Sequence, residues 1–339
     1  MDYRYLGRTG VRVSPLCLGA MMFGPWGNDD RADAIRIIHR ALGSGINFID
    51  TADVYSGGVS EEIVGESLIG RRDDVFLATK FFMPMDDDPN HSGGSRRWIM
   101  KEVENSLRRL RTDHIDLYQV HRPSPETDVE ETLAALSDLV HQGKIRYIGS
   151  SSYSGSQIVE AQWVSRERNL ERFVTEQPPY SILVRNIEED ILPTIQRYGM
   201  GTLTYSPLGG GWLSGRWRKN SASTPVSSAR PKARFDMSKP ANQRKLDVVE
   251  QLAQLAEQSG ITLIELAIAF VINHPGVTSA IVGPRTMEQL ESYLPATEIE
   301  LSTDVLDRID ELVAPGVTMN LDDNSYGQHE LVPAGRRRP

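Results

Sequence analysis

Short apolar runs alternate with longer amphipathic stretches along most of this 339-residue chain. The short runs predict β-strands over residues 16–19, 46–49, 75–79, 115–120, 145–150, 173–176, 202–205 and 279–282. They are dense in Ile, Val, Leu and Phe without strict alternation, as parallel strands covered by helices are. The stretches between them predict helices near residues 31–43, 61–69, 96–110, 129–142, 155–168, 187–198, 262–273 and 286–294. Val129, Leu133, Leu136, Leu139 and Val140 show the i, i+3/i+4 spacing of one buried helix face. Eight strand-then-helix units in this order predict an α/β protein, a (β/α)8 TIM barrel. An open, doubly wound sheet is the rival, and it usually carries Gly-x-Gly-x-x-Gly after its first strand. Here Leu18-Gly19 is followed by Ala20-Met21-Met22-Phe23-Gly24, without that fingerprint.

Several pieces fall outside the repeat. Residues 3–13, with Gly7 and Thr9-Gly10 as turn residues, predict a hairpin capping the bottom of the barrel. Segments 82–95 and 209–240 are polar and rich in turn-forming residues, and long loops that follow barrel strands often carry function. Helices over 245–259 and 302–313 are additions to the barrel. The barrel is expected to occupy residues 1–314 as one domain, and residues 315–339 to form a mobile C-terminal arm.

Composition narrows the class. Hydrophobic content of 39% and charged content of 24% fit a soluble globular chain. A formal net charge of −9 argues against a non-specific nucleic-acid binder, which normally presents a basic field. No run of about 18 apolar residues predicts a membrane span, and the start Met1-Asp2-Tyr3-Arg4 has no apolar leader pattern. A single cysteine, Cys17, forms no internal disulfide, so a cytoplasmic location is expected. None of the seven histidines has zinc-ligand spacing, and no metal is expected.

The chemistry gathers at strand ends. Asp50, Lys80 and His121 close the apolar runs beginning at residues 46, 75 and 115, and Tyr55 lies five residues past Asp50. In a parallel barrel these ends share one face, so the four side chains are expected to meet. A carboxylate, a phenol, an ammonium and an imidazole together suit proton delivery to a carbonyl oxygen. Lys80 beside Tyr55 is expected to lower the value at which the phenol titrates, and Asp50 to hold Lys80.

These residues sit in motifs that resemble the aldo-keto reductase superfamily over residues 3–314. Residues 45–55, ending Asp50-Thr51-Ala52-Asp53-Val54-Tyr55, resemble its first signature, continued by Ser60-Glu61-Glu62 and Gly65. Ala78-Thr79-Lys80 is similar to its lysine motif and Tyr118-Gln119-Val120-His121 to its histidine motif. The resemblance implies that Tyr55 is the general acid, aided by Lys80 and Asp50, with His121 orienting the carbonyl.

It also implies a dinucleotide site. Ser151 and Ser152 match the segment that hydrogen-bonds the nicotinamide carboxamide, with Ser152 where asparagine is common, and Gln177 matches the glutamine of that pocket. Tyr205, Ser206, Pro207 and Leu208, before the glycine run containing Gly210, match the segment whose aromatic stacks on the nicotinamide, and Arg216 matches a basic residue near the diphosphate. Gly283, Arg285 and Gln289 match the adenosine-phosphate segment, and Gly19, Met21 and Asp50 complete the implied site. Arg285 suits a 2′-phosphate, which favours NADPH over NADH, and Thr286 is expected to cap the helix that follows. Ser292-Tyr293 stand where the family often reads Glu-Asn.

Met22, Trp26, Phe82 and Trp212 are expected to wall a substrate pocket with apolar surface, and Arg122 either to face an anionic substrate or to pair with an acidic neighbour. The implied activity is reduction of an aldehyde or ketone with NADPH, reversible as an alcohol dehydrogenase. A second possibility is an NADPH-binding, redox-sensing regulatory subunit, because the glutamine motif and His121-Arg122-Pro123 resemble the branch containing potassium-channel β subunits. Those subunits have asparagine at the position of His121. A small carbonyl compound is the expected partner, an oligomer is possible, and neither nucleic acid nor membrane is expected.

Overall fold

The computed structural model describes residues 1–219 and 232–324. Eight parallel strands close a barrel: β3 (Leu16–Gly19), β4 (Phe48–Asp50), β5 (Phe76–Phe81), β6 (Ile115–Val120), β7 (Ile145–Ser151), β8 (Phe173–Gln177), β9 (Gly201–Tyr205) and β10 (Ser279–Val282). β10 pairs in register with β3, Cys17 opposite Ile281, which joins the two ends of the sheet. The (β/α)8 expectation holds.

Helices α1 (Arg31–Gly43), α2 (Val59–Ser67), α3 (Arg96–Leu110), α4 (Val129–His141), α5 (Gly155–Arg168), α6 (Ile191–Tyr198), α8 (Leu263–Ile272) and α9 (Met287–Tyr293) surround it. Their starts are chemically marked. Asp30, Ser95, Ser154, Thr262 and Thr286 each accept a backbone N–H of the first turn, and Ser154 and Thr262 form capping boxes. α7 (Pro240–Gln258) and α10 (Thr303–Leu312) are the two additions. α7 begins five residues before the expected start, at Pro240, whose missing N–H costs nothing in the first helical turn.

Two apolar layers result. Cys17, Phe48, Ala78, Leu117, Leu203 and Ile281 fill the barrel interior, and Leu6 and Val13 from the hairpin β1 (Arg4–Tyr5) and β2 (Arg12–Val13) plug it from below. The larger layer lies between the strands and the helices. Asn47, expected within a strand, instead ties the hairpin to β4: it accepts from Ser14 N at 2.8 Å and donates to Arg12 O at 3.0 Å. β4 therefore starts at Phe48 and ends on Asp50 itself.

The described part of the expected C-terminal arm ends at residue 324. Residues 317–319 pair with the loop after β8, and Asn320 and Asp323 are buried, so this part is fastened to the barrel. Residues 325–339 and the middle of the 209–240 loop lie outside the described residues. No single helix among the described residues is long and apolar enough to cross a membrane.

Candidate active site

β4, β5 and β6 bring the four polar residues together above the interior plug. Lys80 is fully buried, and its Nζ donates to Asp50 Oδ2 at 2.5 Å, to Thr51 O at 2.8 Å and to Tyr55 Oη at 3.2 Å. Asp50 Oδ1 accepts from Gln119 at 2.9 Å and Gln177 at 3.0 Å, and Gln177 also donates to Gln119 Oε1 at 3.0 Å. Both oxygens of the buried carboxylate are thus engaged, which is what makes a buried ion pair tolerable.

Tyr55 is held by a strained turn. Ser56, Gly57 and Gly58 all have positive φ (52°, 65° and 97°), a path that only glycine follows without cost. Ser56 Oγ accepts from Trp26 N at 3.2 Å, which fixes the one non-glycine member. On the buried side, Arg109 bridges Glu61 and Glu102 at 2.6 and 2.5 Å, and a Cβ at Gly58 would fall 2.8 Å from Arg109 Cδ. Sequence spacing placed Tyr55 near Asp50, but only this turn aims its hydroxyl at Lys80.

The electrostatics differ from expectation in one respect. Burial raises the Tyr55 phenol above the ordinary tyrosine value, and the pull of Lys80 in the other direction is smaller. The phenol therefore keeps its proton at neutral pH. Burial opposes the Lys80 charge, but Asp50 and Tyr55 outweigh it and the ammonium titrates above its ordinary value. Burial, with Lys80 and Arg122 nearby, holds His121 well below the usual imidazole value, so it is neutral. Its ring meets that of Tyr55 edge-on at 5.8 Å.

A cavity of about 580 Å³ opens above these groups, within the range of small-molecule and cofactor sites. Gly19, Met21, Asp50, Ser151, Gln177, Tyr205, Ser206, Pro207, Leu208, Gly210, Arg216, Gly283, Arg285 and Gln289 all line it, as do Met22 and Trp26. Ser152 does not line it: its left-handed backbone (φ 61°) turns the hydroxyl to Arg122, at 2.9 Å, and Tyr205. Phe82 and Trp212 are absent from the wall as well. Phe82 turns out of line at φ 131° and packs against the outer apolar layer, leaving Met83 in the wall. Trp212 is fully buried in a stack with Trp217 at 4.5 Å, and it is Trp217 that faces the cavity.

Sequence reading missed Gln119, Arg234, Phe235 and Ile264. Gln119 had a signal: Leu117, Gln119 and His121 alternate toward the barrel interior, where a polar residue needs a partner. Arg234, Phe235 and Ile264 reach the cavity from distant parts of the chain and carry no local mark. Among the described residues no group of His, Cys, Asp and Glu could hold a metal ion.

One buried acid near the cavity titrates near neutrality. Glu176 accepts from Ser150 Oγ at 2.5 Å and Tyr153 N at 3.1 Å, yet burial pushes its carboxyl up to about 7. Folding takes up a proton there between the ordinary carboxylate value and about 7, so this group costs stability as pH rises through that window. Glu176→Gln is expected to raise Tm at about pH 8 and to change it little at about pH 4. Thermal unfolding across pH checks this, and an equal shift at both ends would contradict it.

Residues 15–314 match the family model described as the aldo/keto reductase family. The chain is 39% identical over 323 residues to an uncharacterized oxidoreductase, YrpG, of Bacillus subtilis, covering 92% of this chain and 96% of that protein. It is 36% identical over 309 residues to the aldo-keto reductase YhdN of the same organism, covering 90% and 91% of the two chains. A probable voltage-gated potassium channel subunit beta of Oryza sativa is 34% identical over 320 residues, covering 92% and 97%.

Proposed function

The chain belongs to the aldo/keto reductase family, and on that premise we propose that it reduces a small aldehyde or ketone to the alcohol with NADPH. The observation that carries this is the buried relay beneath the cavity, in which Lys80 Nζ touches both Asp50 and Tyr55.

The lining fits a dinucleotide. Arg216, Arg234 and Arg285 offer cationic groups to phosphates, and Gly209, Gly210 and Gly211 follow one another at positive φ, exposing backbone between the strand end and those arginines. Ser151 and Gln177 supply polar groups beside the relay. When bound, the cofactor supplies a hydride to the carbonyl carbon. The residues of the chain manage the oxygen. Neutral His121 donates an N–H to it and orients it, and Tyr55 Oη gives it the proton that completes the alcohol. The Lys80 ammonium, 3.2 Å away, stabilises the phenolate left behind until solvent returns a proton. Asp50 and its two glutamines keep Lys80 charged and in place.

Oxidation of NADPH, followed by its absorbance over a panel of aldehydes, ketones and keto-sugars, tests the proposal; no oxidation above background with any of them would contradict it. Arg285→Ala is expected to raise the Michaelis constant for NADPH about tenfold or more and that for NADH far less, since only the former carries a 2′-phosphate. Equal changes would remove the case for 2′-phosphate recognition.

The likeness to channel β subunits supports a second reading, a cofactor-holding subunit that turns over slowly. Comparing steady-state turnover with single-turnover oxidation of bound NADPH separates the two. The imidazole of His121 beside Tyr55 favours the enzyme.

A further inference from the structure

Beyond α10 the chain turns back across the cavity end of the barrel. Arg185 N donates to Val317 O and Met319 N to Leu183 O, both at 3.1 Å. Asn320 then reaches α7, donating to Asn242 Oδ1 at 3.0 Å, while its own Oδ1 accepts from Asp322 N and caps the short turn Leu321–Asp323. Two ion pairs fasten that turn. Lys239 and Asp322 meet at 2.9 Å on the surface, and fully buried Lys245 holds Asp323 Oδ2.

Asp323 is 8% exposed, and among the described residues its second oxygen has no hydrogen-bond partner. That oxygen lies 3.8 Å from Arg234 Nε. Arg234 lines the main cavity, and together with Asp323 it borders a small void behind Ser206, Gly209 and Gly210. Phe235, also on the cavity wall, lies parallel to Trp217 at 5.0 Å, and the Lys245 ammonium sits 4.8 Å over Trp212 at the back of the same stack. The cavity wall, α7 and the C-terminal turn are therefore joined through one carboxylate.

The charge count is unequal. Among the described residues the buried Asp323 carboxylate faces two cations, Lys245 and Arg234, while Asp322, which also acts on Lys245, is paired with Lys239, so this corner keeps positive charge that an anion in the cavity would complement. At 3.8 Å Asp323 steers the guanidinium without taking a hydrogen bond, and Arg234 makes none among the described residues. Its N–H groups remain for phosphate oxygens, the acceptors that arginine binds best.

We propose that residues 317–324 form a latch on the dinucleotide cavity: Asp323, anchored by Lys245, is a positioning residue that holds Arg234 against the diphosphate of the bound cofactor and so sets how fast the cofactor leaves. This rests on the dinucleotide reading of the cavity. Stopped-flow release of NADPH from the full chain, chased with excess NADP+ and followed by nicotinamide fluorescence, tests it. Asp323→Asn and Arg234→Met are each expected to speed release about tenfold, the order of one charge-assisted contact, with the double variant no faster than either. A merely structural role for Asp323 would instead speed release by the same factor whether or not Arg234 is present, and that result overturns the latch, as does unchanged release in both single variants. Should Asp323→Asn fail to fold, Asp322→Asn loosens the turn from the surface and is expected to speed release about twofold to threefold, the order of an exposed pair; unchanged release there overturns the latch. A wild-type protein that binds neither NADPH nor NADH would overturn the cofactor reading itself, a result distinct from unchanged release.

Discussion

Replacing Tyr55 by phenylalanine is expected to lower turnover by about 10²-fold or more while leaving NADPH binding nearly intact. The ring would remain, edge-on to His121 at 5.8 Å and 6.1 Å from Trp26, with the Lys80 ammonium 4.9 Å over its face. Only the hydroxyl is lost. Lys80 keeps Asp50 and Thr51 O as partners, so no buried charge is stranded and the fold should survive. Steady-state turnover measured beside cofactor binding by fluorescence checks both halves, and wild-type turnover in the variant would remove Tyr55 from the mechanism. The direction of the tyrosine shift adds a pH expectation. Because burial lifts the phenol above its ordinary value, the acid stays protonated, and reduction by the wild-type protein should not decline between neutrality and about pH 9 through loss of the Tyr55 proton.

How much of this was legible in the sequence depends on whether the deciding contacts are local. Strand β3 and helices α1, α3 and α5 have the expected bounds, because hydrophobic period and capping residues such as Asp30, Ser95 and Ser154 are short-range signals. Asp50, Lys80 and His121 were readable because polar residues ending apolar runs have few reasons to be there. The Tyr55 hydroxyl position was not, since it depends on three successive left-handed residues and on Arg109 arriving from α3. Lys80 alone suggested a lowered phenol, and the opposite direction followed only once burial was known. Phe82 and Trp212 illustrate a second limit. An aromatic after a strand can face the cavity or the outer layer, and a single backbone angle or one stacking partner decides which. The C-terminal segment was expected to be mobile because what holds its described part is not an apolar pattern but polar contacts, those of Asn320, Asp322 and Asp323.

Lys80→Met is expected to have the largest combined effect, and its two components can be separated. The variant removes the cation from a pair with no exposure on the lysine side, leaving Asp50, among the described residues, facing only the amides of Gln119 and Gln177. Breaking a buried pair from one side costs about 3–5 kcal/mol, which chemical denaturation would report. Turnover should fall as well, since the phenolate formed at Tyr55 would lose the charge that stabilises it. Adding Asp50→Asn supplies a neutral side chain of the same shape, whose Oδ1 can still accept from Gln119 or Gln177. The double variant should therefore regain most of the lost stability and none of the lost turnover. If turnover returned together with stability, Lys80 would be a support of the barrel interior rather than part of the proton relay. If stability did not return, the cost would lie in the packing of the lysine stem and not in the stranded carboxylate.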